Sequence, residues 1–339
     1  MFDPWQSNDG TEWDFIESMS NILNITNGES AVSTMKQANI PGSFLPWNDV
    51  LHEGPVPIGL SLEKLSDVRA QFIIERGWGA PEEIIEEFAL RDNALKASSE
   101  YDRVILWFEH DLYDQLQLIQ ILDWFYNGPT MEVGLSIICT NQYLGKLSPE
   151  EMGALVKYEE PVTEAHLKIS SKAWSAFRSS TPDKWCELLN TDTAVLPFLE
   201  GAVIRLLEEY PSGKNGLSRT AEQALRIVSR SEAHPGRVFA GNQKLEERVF
   251  MGDASFWVVL NELLDSSPPL IVLSEGKELS APPSRGQKLS ITQAGIDVLA
   301  GKLNWLECSN IDRWIGGVHL EPTNVWCWSS NSRSIEKRA

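Results

Sequence analysis

Four cysteines, Cys139, Cys186, Cys308 and Cys327, are scattered over 339 residues, with no C-x-x-C pair and no other spacing that builds a metal site. They read as reduced core thiols, which argues against a disulfide-stapled secreted scaffold. No uninterrupted apolar run reaches membrane-spanning length. The first residues, with Asp3, Glu12, Asp14 and Glu17, lack the basic start and apolar run of a signal peptide. The expectation is a soluble, cytoplasmic chain with no membrane partner. Basic residues are scarce in the first half: residues 1–194 carry 13 Lys and Arg against 31 Asp and Glu, whereas residues 195–339 carry 16 against 17. Almost all of the net charge of −19 therefore sits in the first half. Such a field opposes contact with nucleic-acid phosphates or anionic membranes, which bind to positive patches.

The length and the 42% hydrophobic content suit more than one core, so two domains are expected. In the first half, β-branched apolar runs alternate with helical patterns, the mark of βαβ units and a mainly parallel sheet. Strands are predicted at Ile22 to Thr26, Ser43 to Trp47, Val104 to Phe108 and Leu135 to Thr140. Helices are predicted at Ala31 to Ala38, Leu62 to Arg76, Pro81 to Ala97 and Leu112 to Tyr126, and further at Glu150 to Tyr158, Glu164 to Phe177 and Pro182 to Asn190. The acidic bias stops near Asn190 to Pro197, which divides an α/β, Rossmann-like domain, 1–194, from a second domain, 195–339. After a helix at Leu199 to Tyr210, the second domain reads as three helices (Ser218 to Val228, His234 to Glu247, Asp253 to Asp265). A hairpin (Leu270 to Leu273 with Lys288 to Thr292) and a closing helix (Ala294 to Leu303) follow. That order is winged-helix-like.

In open α/β sheets ligands bind outside the carboxyl ends of the strands. Four predicted strand ends deliver polar residues there: Asn27-Gly-Glu-Ser30, Asn48-Asp-Val-Leu-His-Glu-Gly-Pro55, Glu109-His-Asp111 and Asn141-Gln142. Glu109 and Asp111 share a side of an extended segment, and Asp111 and Asp114 share a face at a helix start. Together they suit a hard divalent cation such as magnesium, with His110 or His52 as acid or base and Glu109 beside them. The plainer account makes Asp111 an N-cap and Asp114 a partner of the helix dipole. Either histidine is equally at home as a hydrogen-bonded structural residue.

Asn27, Glu29 and Ser30 precede a helix whose free N–H groups suit an anion. The loop nonetheless lacks the G-x-G-x-x-G and G-x-x-x-x-G-K-[ST] patterns, and Glu29 repels phosphate. Ser30 has no G-x-S-x-G elbow. Asp49, His52 and Glu53 sit in a loop stiffened by two prolines. Gln115 faces the same edge. Arg69 is the nearest cation for a ligand carboxylate or phosphate, and a salt bridge is its plainer use.

The segment placed to be a recognition helix, Asp253 to Asp265, has no Lys or Arg and three acidic side chains. Protein contact therefore fits the second domain better than DNA readout. Trp305, Trp314, Trp326 and Trp328 suit packing of the tail, with Trp326 and Trp328 on one strand face; Arg313 or His319 reaching the first domain's site is the alternative.

The segments Asn27-Gly-Glu-Ser-Ala31, Leu45-Pro-Trp-Asn-Asp-Val-Leu-His-Glu-Gly-Pro-Val-Pro57 and Leu106-Trp-Phe-Glu-His-Asp-Leu-Tyr-Asp-Gln-Leu-Gln-Leu118 resemble a bacterial family, domain of unknown function 1835. The resemblance extends to Gly252-Asp-Ala-Ser-Phe-Trp257 and Asp312-Arg-Trp-Ile-Gly-Gly-Val-His-Leu320, and so to nearly the whole chain. Glu29 stands where that family more often has aspartate. The resemblance implies no reaction. Two functions follow from the residues themselves. One is metal-assisted hydrolysis or transfer on a nucleotide or phosphorylated metabolite. The other is a ligand sensor whose second domain binds a protein partner or DNA.

Overall fold

A computed structural model describes residues 21–128, 133–276, 278, 279 and 281–338. The acidic N-terminal residues Asp3, Glu12, Asp14 and Glu17 lie outside them. In chain order the first half runs β1 (Ile22–Thr26), α1 (Glu29–Gln37), β2 (Ser43–Pro46), β3 (Gly54–Pro55), α2 (Leu62–Glu75), α3 (Pro81–Lys96), β4 (Arg103–Phe108), α4 (Leu112–Asn127) and β5 (Gly134–Cys139). It continues with α5 (Pro149–Ala154), β6 (Glu160–Pro161), α6 (Glu164–Phe177) and α7 (Asp183–Glu187).

Five strands form one sheet in the order β2-β1-β4-β5-β6, parallel except for the β5–β6 pair. Because side chains alternate along a strand, β4 serves two cores. Val104, Leu106 and Phe108 meet α4 and α6 on one face, while Ile105 and Trp107 meet α1 and α5 on the other. The order reverses direction between β1 and β4, which makes the gap between their carboxyl ends the topological switch point where open α/β sheets bind ligands.

The second half gives α8 (Leu199–Leu207), α9 (Arg219–Arg230), α10 (Pro235–Gln243), α11 (Asp253–Asp265), the antiparallel ribbon β7 (Ile271–Leu273) with β8 (Leu289–Ile291), and α12 (Gln293–Leu299). Beyond it lie small antiparallel pairs, β9 (Arg313–Gly316) with β10 (Val318–Leu320) and β11 (Trp326–Ser329) with β12 (Ser334–Lys337). Those strands were not anticipated except for the shared face of Trp326 and Trp328, both of which are buried in β11. β9 also pairs in parallel with β3, which ties the tail to the loop at residues 48–57.

The helix expected to run to Glu247 ends at Gln243. Glu246 and Glu247 instead turn to Arg205 and Arg219, and the chain that follows reaches across to β4. One continuous apolar cluster extends from Leu23 to Ile335. All four cysteines are free. Among the described residues no helix is long and apolar enough to cross a membrane.

Candidate functional site

At the β4–α4 junction the chain stays extended through Asp111, whose side chain accepts from the Asp114 amide at 3.2 Å and so caps α4. Asp114 turns back toward the strand. Its Oδ1 accepts from the Glu109 amide at 2.6 Å, and its Oδ2 accepts from Asn27 Nδ2, at the end of β1, at 2.9 Å. The same Asn27 nitrogen donates to Glu109 Oε1 at 2.9 Å, an oxygen that also accepts from the Leu144 amide at 2.8 Å. Gln115 Nε2 closes the knot on the Glu109 carbonyl at 2.7 Å. Three strand ends thus meet through side chains of β1 and β4 and a backbone amide beyond β5.

Glu109, Asp111 and Asp114 are all buried, and each offers an oxygen that lies within 4.8 Å of those of the other two. Burial disfavours the charged forms, and three like charges at this distance compound the effect. Burial, then repulsion from Glu109, raises the Asp111 carboxyl to about 7. Burial, then Asp111 and Glu109, pushes Asp114 well above the usual range. Burial also raises Glu109, although the Leu144 amide and Asn27 oppose it. Arg248 acts on Asp111 and Lys146 on Glu109 from a distance. Among the described residues no Lys or Arg pairs directly with any of the three. Such a trio must bind protons or a cation.

His110 lies beside the trio, its ring against Tyr143 and Phe198 at 5.1 and 5.9 Å. Burial, helped by Arg248, lowers its pKa, so the ring is neutral near pH 7, and its Nδ1 has no protein partner. Arg248 Nη1 donates to the His110 carbonyl at 3.1 Å, and the Val249 amide donates to the Tyr143 hydroxyl at 2.6 Å. Tyr143, Lys146 and Arg248 complete the surroundings and escaped sequence reading, since loops distant in sequence carry them.

The other candidates lie elsewhere. His52 packs against Phe250 and Tyr113, 3.8 Å from Glu53, and burial drives its pKa to about 3. Asp49 and Arg69 are fully buried against each other at 3.0 Å. Arg69 also donates to the carbonyls of Val50, Glu53 and Pro55, which fixes the loop that carries His52. Glu29 and Ser30 are exposed at the start of α1, where Ser30 Oγ reaches the Gly145 carbonyl at 3.5 Å.

A second charged group was not foreseen. Glu209, buried, takes Arg205 at 2.8 Å and Arg313 at 3.0 Å, while Arg205 also holds Glu246 at 2.8 Å. Burial pushes the Glu209 carboxyl up, but the two guanidinium groups outweigh it and hold it at about 2. Arg313 therefore serves Glu209, and His319 pairs with Asp312 at 2.6 Å. No family model and no curated protein matches the chain.

Proposed function

We propose that Glu109, Asp111 and Asp114 bind a divalent cation of the magnesium type. The cation recruits a small nucleotide or phosphorylated metabolite for metal-assisted hydrolysis or transfer. One observation carries this reading: three buried carboxylates converge at the switch point of the sheet, and among the described residues no Lys or Arg pairs with them. Oxygen ligands of this kind suit hard divalent ions. The free N–H end of α1 begins two residues beyond Asn27, at the same edge, and suits a ligand phosphate. His110, neutral and with a free ring nitrogen, supplies a proton acceptor; His52 is set apart by Tyr113 and does not share that role. Asn27 and the Leu144 amide orient Glu109 rather than touch substrate.

The test is calorimetry and thermal unfolding with Mg2+, Mn2+ and Ca2+, followed by a turnover screen on nucleotides and sugar phosphates. Binding is expected in the wild type and lost in Glu109→Gln. If no cation stabilises the wild type, the reading fails.

A second reading rests on the contacts of Arg248 and Val249 with His110 and Tyr143. Ligand binding at the trio would then shift the α10–α11 connection and signal to a protein partner, without turnover. We read the order α9, α10, α11, ribbon, α12 as that expected of a winged helix, but α11 buries Phe256, Trp257, Val259, Leu260 and Leu263. A helix so enclosed does not enter a DNA groove, and Arg219, Arg226 and Lys288 are held by glutamates. A protein partner suits this region better than DNA.

A further inference from the structure

A cleft of about 350 Å3 lies between α11 and the segment Trp305–Asp312. Deeper in, a cavity of about 40 Å3, large enough for one or two small groups, is bounded by Glu53, Arg313 and Trp314. The two share Arg76, Val258, Glu262 and Asp312 as walls, so they form one recess, separate from the carboxylate trio.

Two kinds of buried polar atom lack a protein partner here. Among the described residues Glu53 Oε1, in a residue only 6% exposed, accepts no hydrogen bond, and the neutral His52 imidazole lies 3.8 Å away. At the outer end the Trp305 indole N–H, also in a side chain 6% exposed, donates to nothing, and neither does the nearby Ser309 hydroxyl find a partner. An orphaned buried acceptor and an orphaned buried donor each forfeit a hydrogen bond unless something fills the space between them. Acidic side chains run along the whole lining. Inside, Glu53 and Glu262 face Arg313, whose charge Glu209 already takes. Outside, Arg76 joins the Trp305 and Ser309 donors, with Asp265 on the same wall and Asp312 held by His319 at 2.6 Å.

We propose that this recess binds a small zwitterion of the amino-acid class. The ligand ammonium donates to Glu53 and Glu262, and its carboxylate accepts from Trp305 Nε1 and Ser309 Oγ near Arg76. A simple amine leaves the Trp305 donor orphaned. A simple carboxylate leaves the Glu53 acceptor orphaned and faces Glu262.

The test is calorimetry of the full chain, in EDTA to silence any cation site, against the twenty amino acids, with putrescine, the decarboxylated amines and acetate as controls. At least one amino acid is expected to bind, with its decarboxylated amine weaker by about tenfold or more. Trp305→Phe, which keeps an aromatic ring and deletes the donor, weakens binding about tenfold, and Glu262→Gln, on the accessible wall, weakens it further. Binding of no amino acid overturns the proposal. So does amino-acid binding that both variants leave unchanged, or equal binding of the decarboxylated amine.

Discussion

Asp111 shows how one residue can satisfy two accounts at once. It caps α4, as its position before an apolar helix indicates, and it also stands among carboxylates that burial and mutual repulsion hold toward the neutral form. A native carboxyl raised from 3.8 to about 7 holds a proton that the unfolded chain has released. Its stabilising contribution is thus complete below about pH 4 and lost as pH rises through about 7. Urea unfolding in EDTA should show that loss, and Asp111→Asn, which retains the cap, should flatten it. His52 works in the opposite sense. With a pKa lowered to about 3, its neutral ring favours the native state above about pH 6.5, and that contribution disappears as pH falls toward 3. His52→Asn should remove this acid-side slope in the same titration. The carboxylates were legible in sequence because they fall within six residues of one strand end. Asn27, 82 residues from Glu109, was legible as a residue of the same strand edge, but the Leu144 amide, 35 residues away, was not, and only the fold brings it there.

At the scale of elements, the long periodic segments were readable, as were β2 and the β7–β8 ribbon, whereas β3 and the strands of the tail were not. The strand Ile22–Thr26 and the helices Glu164–Phe177 and Asp253–Asp265 follow directly from their apolar spacing. β3 has two residues, and β9 to β12 have three or four each; they exist only because distant segments pair with them. The loop at residues 48–57 looked like a candidate ligand loop, yet Arg69 fixes it through Asp49 and three carbonyls. Arg69→Ala leaves Asp49 buried without this partner and should cost about 3–5 kcal/mol, measured by equilibrium unfolding. The pair Gly316-Gly317, just before β10, packs against the end of α6. A Cβ at Gly317 would come within 2.0 Å of the Arg178 carbonyl oxygen, so Gly317→Ala should destabilise by about 2–3 kcal/mol, in the same assay.

Across the whole molecule, charge and connectivity shape the site together. Three carboxylates of the acidic first half are buried at the sheet edge, a placement that repels phosphate unless a cation intervenes. The second half reaches that edge through Arg248 and Val249, so both halves of the sequence contribute to its walls. The enclosed α11 also gives a clear expectation at this scale: the full chain should fail to retain duplex DNA at low salt in a filter or gel assay, and retention there would contradict the protein-contact reading. The most direct measurement is thermal unfolding at pH 8 of the wild type and Asp111→Asn, each with EDTA and with millimolar Mg2+ or Mn2+. The account predicts that the cation stabilises the wild type, and that Asp111→Asn is the more stable of the two in EDTA, by roughly 1–3 kcal/mol, yet gains nothing from the cation. A wild type indifferent to every divalent cation, or a variant that responds as the wild type does, would contradict it.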